Sequence, residues 1–590
     1  MRRGRADDGM DFDVVVLGTG LSESIVAAAL SKAGFKVAHV DNNQYYGGDE
    51  ASLTLDELAE WADIRSGRQD VPASDYLATQ KARYTSISRS RTVPPQARQY
   101  AVSLAPSIVP SIGPHIDSLI ASGVSRYGSF KLLEKVAVYD RPGLVQSVPG
   151  SKEDVFKSKA LSLIDKRRLM RFLMFAAGEF EGKKELEGKE QSPFVQYLRE
   201  VFSLDDKAVN AIAYALAFCV SGEESTLPAL QRIRQYLRST GRYGPSPFLV
   251  GHYGGCGETA QGFCRTSAVK GGTYILGRRV LSVKPCPNPS DNPPEDDKDA
   301  SESIKTTPRY EVEMEDIDEK LTAKVLVSAA DYIHLSSQDG PSSFSARYRV
   351  ARCIAVLDKP LVLTPVDAPE DTPAPDIEEP VEGAEEEQSD KLEPPNHEVD
   401  TALLVFPPGT LQNGSTAAVA HALITGEASM SAPRAKFILN ISLPITELET
   451  SNPEELLRPY LDATLSLTAP PARETVPATP LFTVFYTHNP TLRRASPPES
   501  SLSSVIITPS PTPLLPAIAD AATGNAEAMF WKAVEQLKAA GVRRSVVKES
   551  FGKVKEGGDG PAEVEESQEV DSFWPPLDAT EDDSSTTDEW

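Results

Sequence analysis

The chain has 590 residues, 40% hydrophobic and 25% charged, with a formal net charge of -25. That length and apolar content can fill more than one core, and an excess of acid without a long basic cluster argues against nucleic acid as a partner. Five cysteines, none in a C-x-x-C pair, point away from a disulfide framework or zinc site, and no apolar run reaches the roughly 18 residues of a membrane span.

The charged first ten residues lack the apolar stretch of a signal peptide, and the last four contain no cysteine for prenylation. A soluble, cytoplasmic protein is therefore expected. Residues 13–17 read as an apolar strand, 21–33 as an Ala-rich helix and 36–41 as a second strand ending in Asp41, a βαβ unit. Helices are expected over 158–180, 192–202, 206–221 and 227–240. Residues 241–283 return to glycine and aromatic residues and read as turns and short strands. Strands are expected at 310–314 and 323–329. Three Pro-rich or acidic stretches, 285–308, 366–400 and 552–590, are expected to be disordered.

The first βα turn holds half of a dinucleotide-binding fingerprint. Gly18, Thr19 and Gly20 match its start and Asp41 supplies the acid about 20 residues on, but Glu23 stands where the third glycine belongs. A glutamate there adds bulk and puts a carboxylate where phosphate would meet the helix N-terminus. Flavoenzymes of this fold often follow the acid with Gly-Gly-Arg; here Gly47 and Gly48 precede Asp49. The expectation is a dinucleotide-binding-like α/β scaffold with a degenerate motif and no cofactor.

The run from Asp13 through Gly18-Thr19-Gly20-Leu21-Ser22-Glu23, then His39-Val40-Asp41 and Tyr45-Tyr46-Gly47-Gly48, resembles the start of the Rab GDP-dissociation inhibitor and Rab escort protein superfamily. A second match runs from Arg242 to Phe248, through Tyr253-Gly254 and Gly257-Glu258, to Gln261-Gly262-Phe263-Cys264-Arg265 and Gly271-Gly272-Thr273-Tyr274. Residues 154–159 and 165–170, with Gly262 to Arg265, look like the escort branch. Thr259-Ala260 replaces the family's usual Leu-Pro, and Ile275 stands where inhibitors carry Met.

The resemblance implies a Rossmann-like scaffold of the inhibitor type. It would be built from residues 1–150, 241–284, 309–365 and 401–551, with a helical second domain at 151–240, insertions at 285–308 and 366–400, and an acidic tail at 552–590. It also implies a non-catalytic accessory component that binds GDP-bound Rab GTPases, presents them to the Rab geranylgeranyltransferase heterodimer and delivers the lipidated product in transient contact with membranes. The Rab-binding platform maps onto Tyr46, Tyr253, Glu258 and Arg265. Leu169, Phe172, Leu173, Leu198, Phe202, Ile212 and Leu216 are candidates for contact with the geranylgeranyl group or the transferase; ordinary helix packing is the alternative for each. The rival functions are an inhibitor that only recycles prenylated Rabs and a flavin-dependent oxidoreductase sharing the fold. The scattered histidines suggest no metal site.

Overall fold

Met10–Leu17 (β1) leads through Gly18 into the helix Leu21–Lys32 (α1) and on to Val37–Asp41 (β2). β1 pairs in parallel with β2 on one side and with Ile317–Ser328 on the other, which is why its sequence is apolar on both faces. Gly18 turns the chain at φ +96°, and a side chain there would meet Ala329. The computed structural model describes residues 10–148, 162–286, 309–332, 349–366, 397–445, 452–469, 476–490, 504–542 and 570–574.

Beyond α1 the described helices are Leu55–Ser66 (α2), Asp75–Arg83 (α3), Pro114–Ser122 (α4), Leu163–Ala177 (α5), Phe194–Phe202 (α6), Asp206–Asn210 (α7), Thr226–Ser239 (α8), Cys256–Val269 (α9), Pro453–Ser466 (α10) and Ile518–Ala539 (α11). The first sheet runs in the order Thr273–Leu276, β2, β1, Ile317–Ser328, Arg309–Met314, Val280–Cys286; Val505–Ile507 also pairs with Ile317–Ser328. The second sheet has the order Tyr84–Arg89, Phe482–His488, Arg349–Leu357, Phe437–Ile445, Ala420–Thr425, Ala402–Phe406, Lys135–Arg141, Leu144–Ser147. Helices α5, α6 and α8 share one core with Leu403, Val405 and Leu423 of this second sheet.

The small side chains of α1 let other helices pack closely against it. Every residue from Leu21 to Ser31 is buried. Ser31 Oγ lies 2.7 Å from Ser267 Oγ on α9, and Ser22 Oγ donates to the Ala522 carbonyl on α11 at 3.1 Å.

Several local expectations are corrected. The glycine- and aromatic-rich stretch at 241–283 contains the fourteen-residue helix α9, because Ala260, Phe263, Cys264 and Ser267 recur at helical spacing and all are buried. The continuous helix expected over 206–221 stops at Asn210, widens into a π-turn over Ala211–Leu216 and ends with Phe218 at φ +55°. This break lets Phe218 pack edge-on against Phe248 and Tyr236.

Parts of the three stretches expected to be disordered are ordered in the structure. Pro285 and Cys286 pair with Tyr310 and Arg309 at the end of a strand. Glu398 and Val399 form a short strand against Val362 and Leu361. Residues 570–574, inside the acidic tail, pack against α1, α9 and α11, with Phe573 8% exposed. The parts at 287–308, 367–396, 552–569 and 575–590 lie outside the described residues, as does the 154–159 motif.

Candidate functional site

The dinucleotide turn is occupied by the protein's own side chains. The Thr19 backbone N–H and hydroxyl donate to Asp41 Oδ2 at 2.8 and 2.6 Å, and the Asn43 N–H donates to Oδ1 at 2.8 Å. The Asn43 side-chain amide and the Tyr332 hydroxyl add a fourth and a fifth donor at 2.9 and 3.2 Å. The acid that would hold a ribose hydroxyl therefore already has its acceptor sites filled. Glu23 is 4% exposed and its carboxyl folds back over Gly20, while Glu50 accepts from the Leu21 N–H at the start of α1 at 3.4 Å.

Burial, with the charges of nearby acids, pushes the Glu23 carboxyl up to about 7 and that of Glu50 up to about 8. The carboxyl of Glu23 is therefore protonated for much of the time near neutral pH. It excludes phosphate more by filling the space than by the full charge repulsion that its sequence position suggests. The remaining cavity is about 80 Å³, against about 300–1,000 Å³ for a small-molecule site. These residues do not fit a flavin or nicotinamide dinucleotide.

Beside this turn lies a cluster that spacing alone does not reveal. Arg83, at the end of α3, pairs with Asp49 and with Asp331, each at 2.8 Å. His488 Nε2 lies 3.5 Å from the same Asp49. The Arg83 guanidinium holds the Asp49 carboxyl far below the usual carboxylate range despite its burial. Asp49, which departs from Gly-Gly-Arg, thus meets an arginine from another part of the chain. The other members of this cluster, at 83, 331 and 488, are too far apart in sequence to form a motif.

The four platform candidates sit on two adjoining segments. Gly257 packs against the backbone of Glu50 and Ser52 so closely that a Cβ would lie 2.5 Å from the Ser52 nitrogen, and Ser52 Oγ donates to the Tyr253 carbonyl at 2.5 Å. That contact places the turn containing Tyr46 beside the start of α9. Tyr46 is partly buried and meets Tyr274 edge-on, ring centroids 6.5 Å apart. Tyr253 is 48% exposed at φ +52°, a conformation uncommon for a tyrosine.

Glu258 is in the first turn of α9, where its charge suits the helix dipole, although half-burial raises its pKa. Arg265 lies seven residues on, on the same helix face. It is exposed and its guanidinium lies over the ring of Tyr127, 4.5 Å from the centroid. Tyr127 is 55% exposed and was not among the residues that the motifs pointed to.

The seven candidates for lipid or transferase contact lie elsewhere, in the helical region. Leu169, Phe172, Leu173, Leu198, Phe202, Ile212 and Leu216 are all buried and share one core. An open groove of about 950 Å³ lies on the outer side of α5, lined by Leu163, Met170, Met174, Phe175 and Phe202 with Lys166, Arg167, Arg171, Lys183 and Glu185 beside them. Phe202 alone of the seven reaches it. The outward positions of α5 carry no signal in the sequence, because an amphipathic pattern marks the face that is buried.

Among the described residues no helix is long and apolar enough to cross a membrane, and no cluster of His, Cys, Asp and Glu could hold a metal ion. The chain is similar to proteins named Rab proteins geranylgeranyltransferase component A. The one from Drosophila melanogaster is 35% identical over 290 residues, covering 46% of this chain and 54% of that protein. The one from Saccharomyces cerevisiae is 28% identical over 432 residues, covering 73% and 61%. The one from Candida albicans is 36% identical over 279 residues, covering 46% and 42%. The chain thus spans about half the length of the curated relatives it matches.

In fold it resembles the crystal structure of a Rab GDI from Plasmodium falciparum, with a TM-score of 0.59 at 19% identity over 90% of this chain and 98% of that one. It also resembles an oxidoreductase from Methanosarcina mazei, with a TM-score of 0.50 at 15% identity over 88% and 100%. The model of the family described as GDP dissociation inhibitor matches residues 8–368, and the chain belongs to that family.

Proposed function

We propose that the protein is a Rab escort: it binds GDP-bound Rab GTPases, presents them to the geranylgeranyltransferase heterodimer and carries the prenylated product to membranes, performing no chemistry itself. The observation that supports this reading is that the turn containing Tyr46 packs against the segment carrying Tyr253, Glu258 and Arg265, while the dinucleotide turn beside it is filled by Glu23, Glu50 and the Thr19–Asp41 bonds. Tyrosine and arginine are typical anchors of protein interfaces. The names of the relatives support the transferase as a partner.

The groove on the outer face of α5 suits the lipid or transferase contact better than the buried core beneath it. Leu163 and Met174 are 79% and 63% exposed there, an apolar strip flanked by cations. A geranylgeranyl chain needs such a surface to leave a membrane, since each buried methylene contributes about 0.8 kcal/mol. The protein would work in the cytoplasm and visit membranes only while carrying its cargo.

The test is a prenylation assay with GDP-loaded Rab, the transferase heterodimer and geranylgeranyl diphosphate. An escort makes lipid transfer depend on this chain. A chain that binds prenylated Rab but leaves transfer unstimulated is a recycling inhibitor instead.

A further inference from the structure

Residues 570–574, Val-Asp-Ser-Phe-Trp, form a short described segment between two stretches outside the described residues. They belong to no helix or strand, yet they are held by contacts of three kinds. Lys32, in the last turn of α1, donates from Nζ to the Ser572 carbonyl at 2.8 Å, pairs with Asp571 at 2.9 Å and lies 5.3 Å from the centroid of the Phe573 ring. Phe573 enters the core beside Phe263 of α9, centroids 6.2 Å apart, and Trp574 packs on Phe530 of α11 at 5.5 Å. Ser572 Oγ accepts from the Trp574 N–H at 3.1 Å, a local turn that sets the two rings side by side, 5.7 Å apart.

We propose that the niche between α1, α9 and α11 is a peptide-docking site for an acidic–aromatic segment, with residues 570–574 as its ligand in cis. Aromatic burial supplies most of the hold, because the Asp571 side chain is 67% exposed and its ion pair is largely screened. Lys32 supplies selectivity: one ammonium reads a carboxylate, a carbonyl and a ring on successive residues. Among the described residues this segment makes no ladder hydrogen bonds, so recognition rests on the side chains, as in peptide binding. The niche lies behind the platform face of α9, since Phe263 is buried between the positions of Glu258 and Arg265. Docking therefore braces α9 from the rear, whatever binds in front.

Hydrogen exchange of the full chain, read by mass spectrometry, tests the docking directly. The Trp574 amide, which donates to Ser572 Oγ in the docked turn, should exchange at least about tenfold more slowly than in a free peptide, as expected of a segment that opens locally. Lys32→Glu should remove that protection. A fluorescent peptide of residues 566–578 should bind the full-length chain carrying both Phe573→Ala and Trp574→Ala, whose niche lacks its own ligand. It should bind the wild-type chain much less, and adding Lys32→Glu to the double variant should abolish binding. Free-peptide exchange rates in the wild-type chain, or peptide binding indifferent to Lys32, would overturn the proposal.

Discussion

Glu23 and Glu50 close on Gly20 from two sides: a methyl group built on that glycine would lie 2.5 Å from Glu23 Oε2 and 3.5 Å from Glu50 Oε2. The two carboxyls come from α1 and from the turn after β2, and together they seal the helix N-terminus that a pyrophosphate would use. Purified protein should therefore show no flavin absorbance, and Glu23→Gly alone should not create flavin binding, because Glu50 and the saturated Asp41 remain. Flavin retained through gel filtration by either form would show that the turn still opens.

The same pair makes stability depend on pH. The folded carboxyls titrate at about 7 and 8, whereas an unfolded glutamate titrates near 4.5. Above 4.5 the folded state holds protons that the unfolded state has released, so stability falls as pH rises through 8. Buried His39, His115 and His421, lowered to about 4, work the other way below pH 6.5. Between pH 6.5 and 8 these histidines no longer oppose the two glutamates, whose effect then shows. Wild-type protein should lose on the order of one to a few kcal/mol across it, and Glu23→Gln with Glu50→Gln should flatten the slope. Urea midpoints at half-unit pH steps measure this; equal slopes in both proteins would refute it.

Arg83→Ala should be strongly destabilising. Arg83 is 9% exposed and serves Asp49 and Asp331 at once, so its loss leaves buried carboxylates unpaired, at a cost of about 3–5 kcal/mol. Lysine should rescue only part of this, since one ammonium cannot stand in for two nitrogens, Nη1 on Asp49 and Nη2 on Asp331. A denaturant midpoint within error of wild type for Arg83→Ala would mean that solvent reaches the cluster.

Arg265→Ala should weaken binding of GDP-bound Rab by about 1–3 kcal/mol while leaving the melting temperature nearly unchanged, because its principal contact is with the exposed ring of Tyr127. Tyr46→Ala should weaken binding similarly and also lower stability modestly, since it loses its edge contact with Tyr274. Isothermal titration and melting curves on the same preparations separate the two effects. Rab affinity unchanged in both variants would move the platform elsewhere.

Deleting residues 370–394 should leave the cooperative melting transition intact. Extending the deletion through residue 401 should not, because it removes the pairing of Val399 with Leu361 and the Asp400 N–H donated to Glu134 Oε2 at 2.9 Å. Equal melting temperatures for the two deletions would show that this short strand contributes nothing.

The sequence alone determined the βαβ start, the impaired dinucleotide turn and the approximate reach of the helical region, because local periodicity and residue type set these. Glu23 could be read as an obstruction from its position in the motif. Its partner Glu50 could not, since nothing local distinguishes that residue from other surface-type glutamates. Only the tertiary structure decided that Asp49 meets Arg83, that Tyr127 lies under Arg265, that the nominated lipid residues pack inward while α5 exposes a different strip, and that Phe573 returns to the core from an acidic tail. The Asp49–Arg83, Tyr127–Arg265 and Phe263–Phe573 contacts join residues 34 to 310 positions apart. Such pairings depend on how the sheets and helices stack, and composition and periodicity carry no record of that.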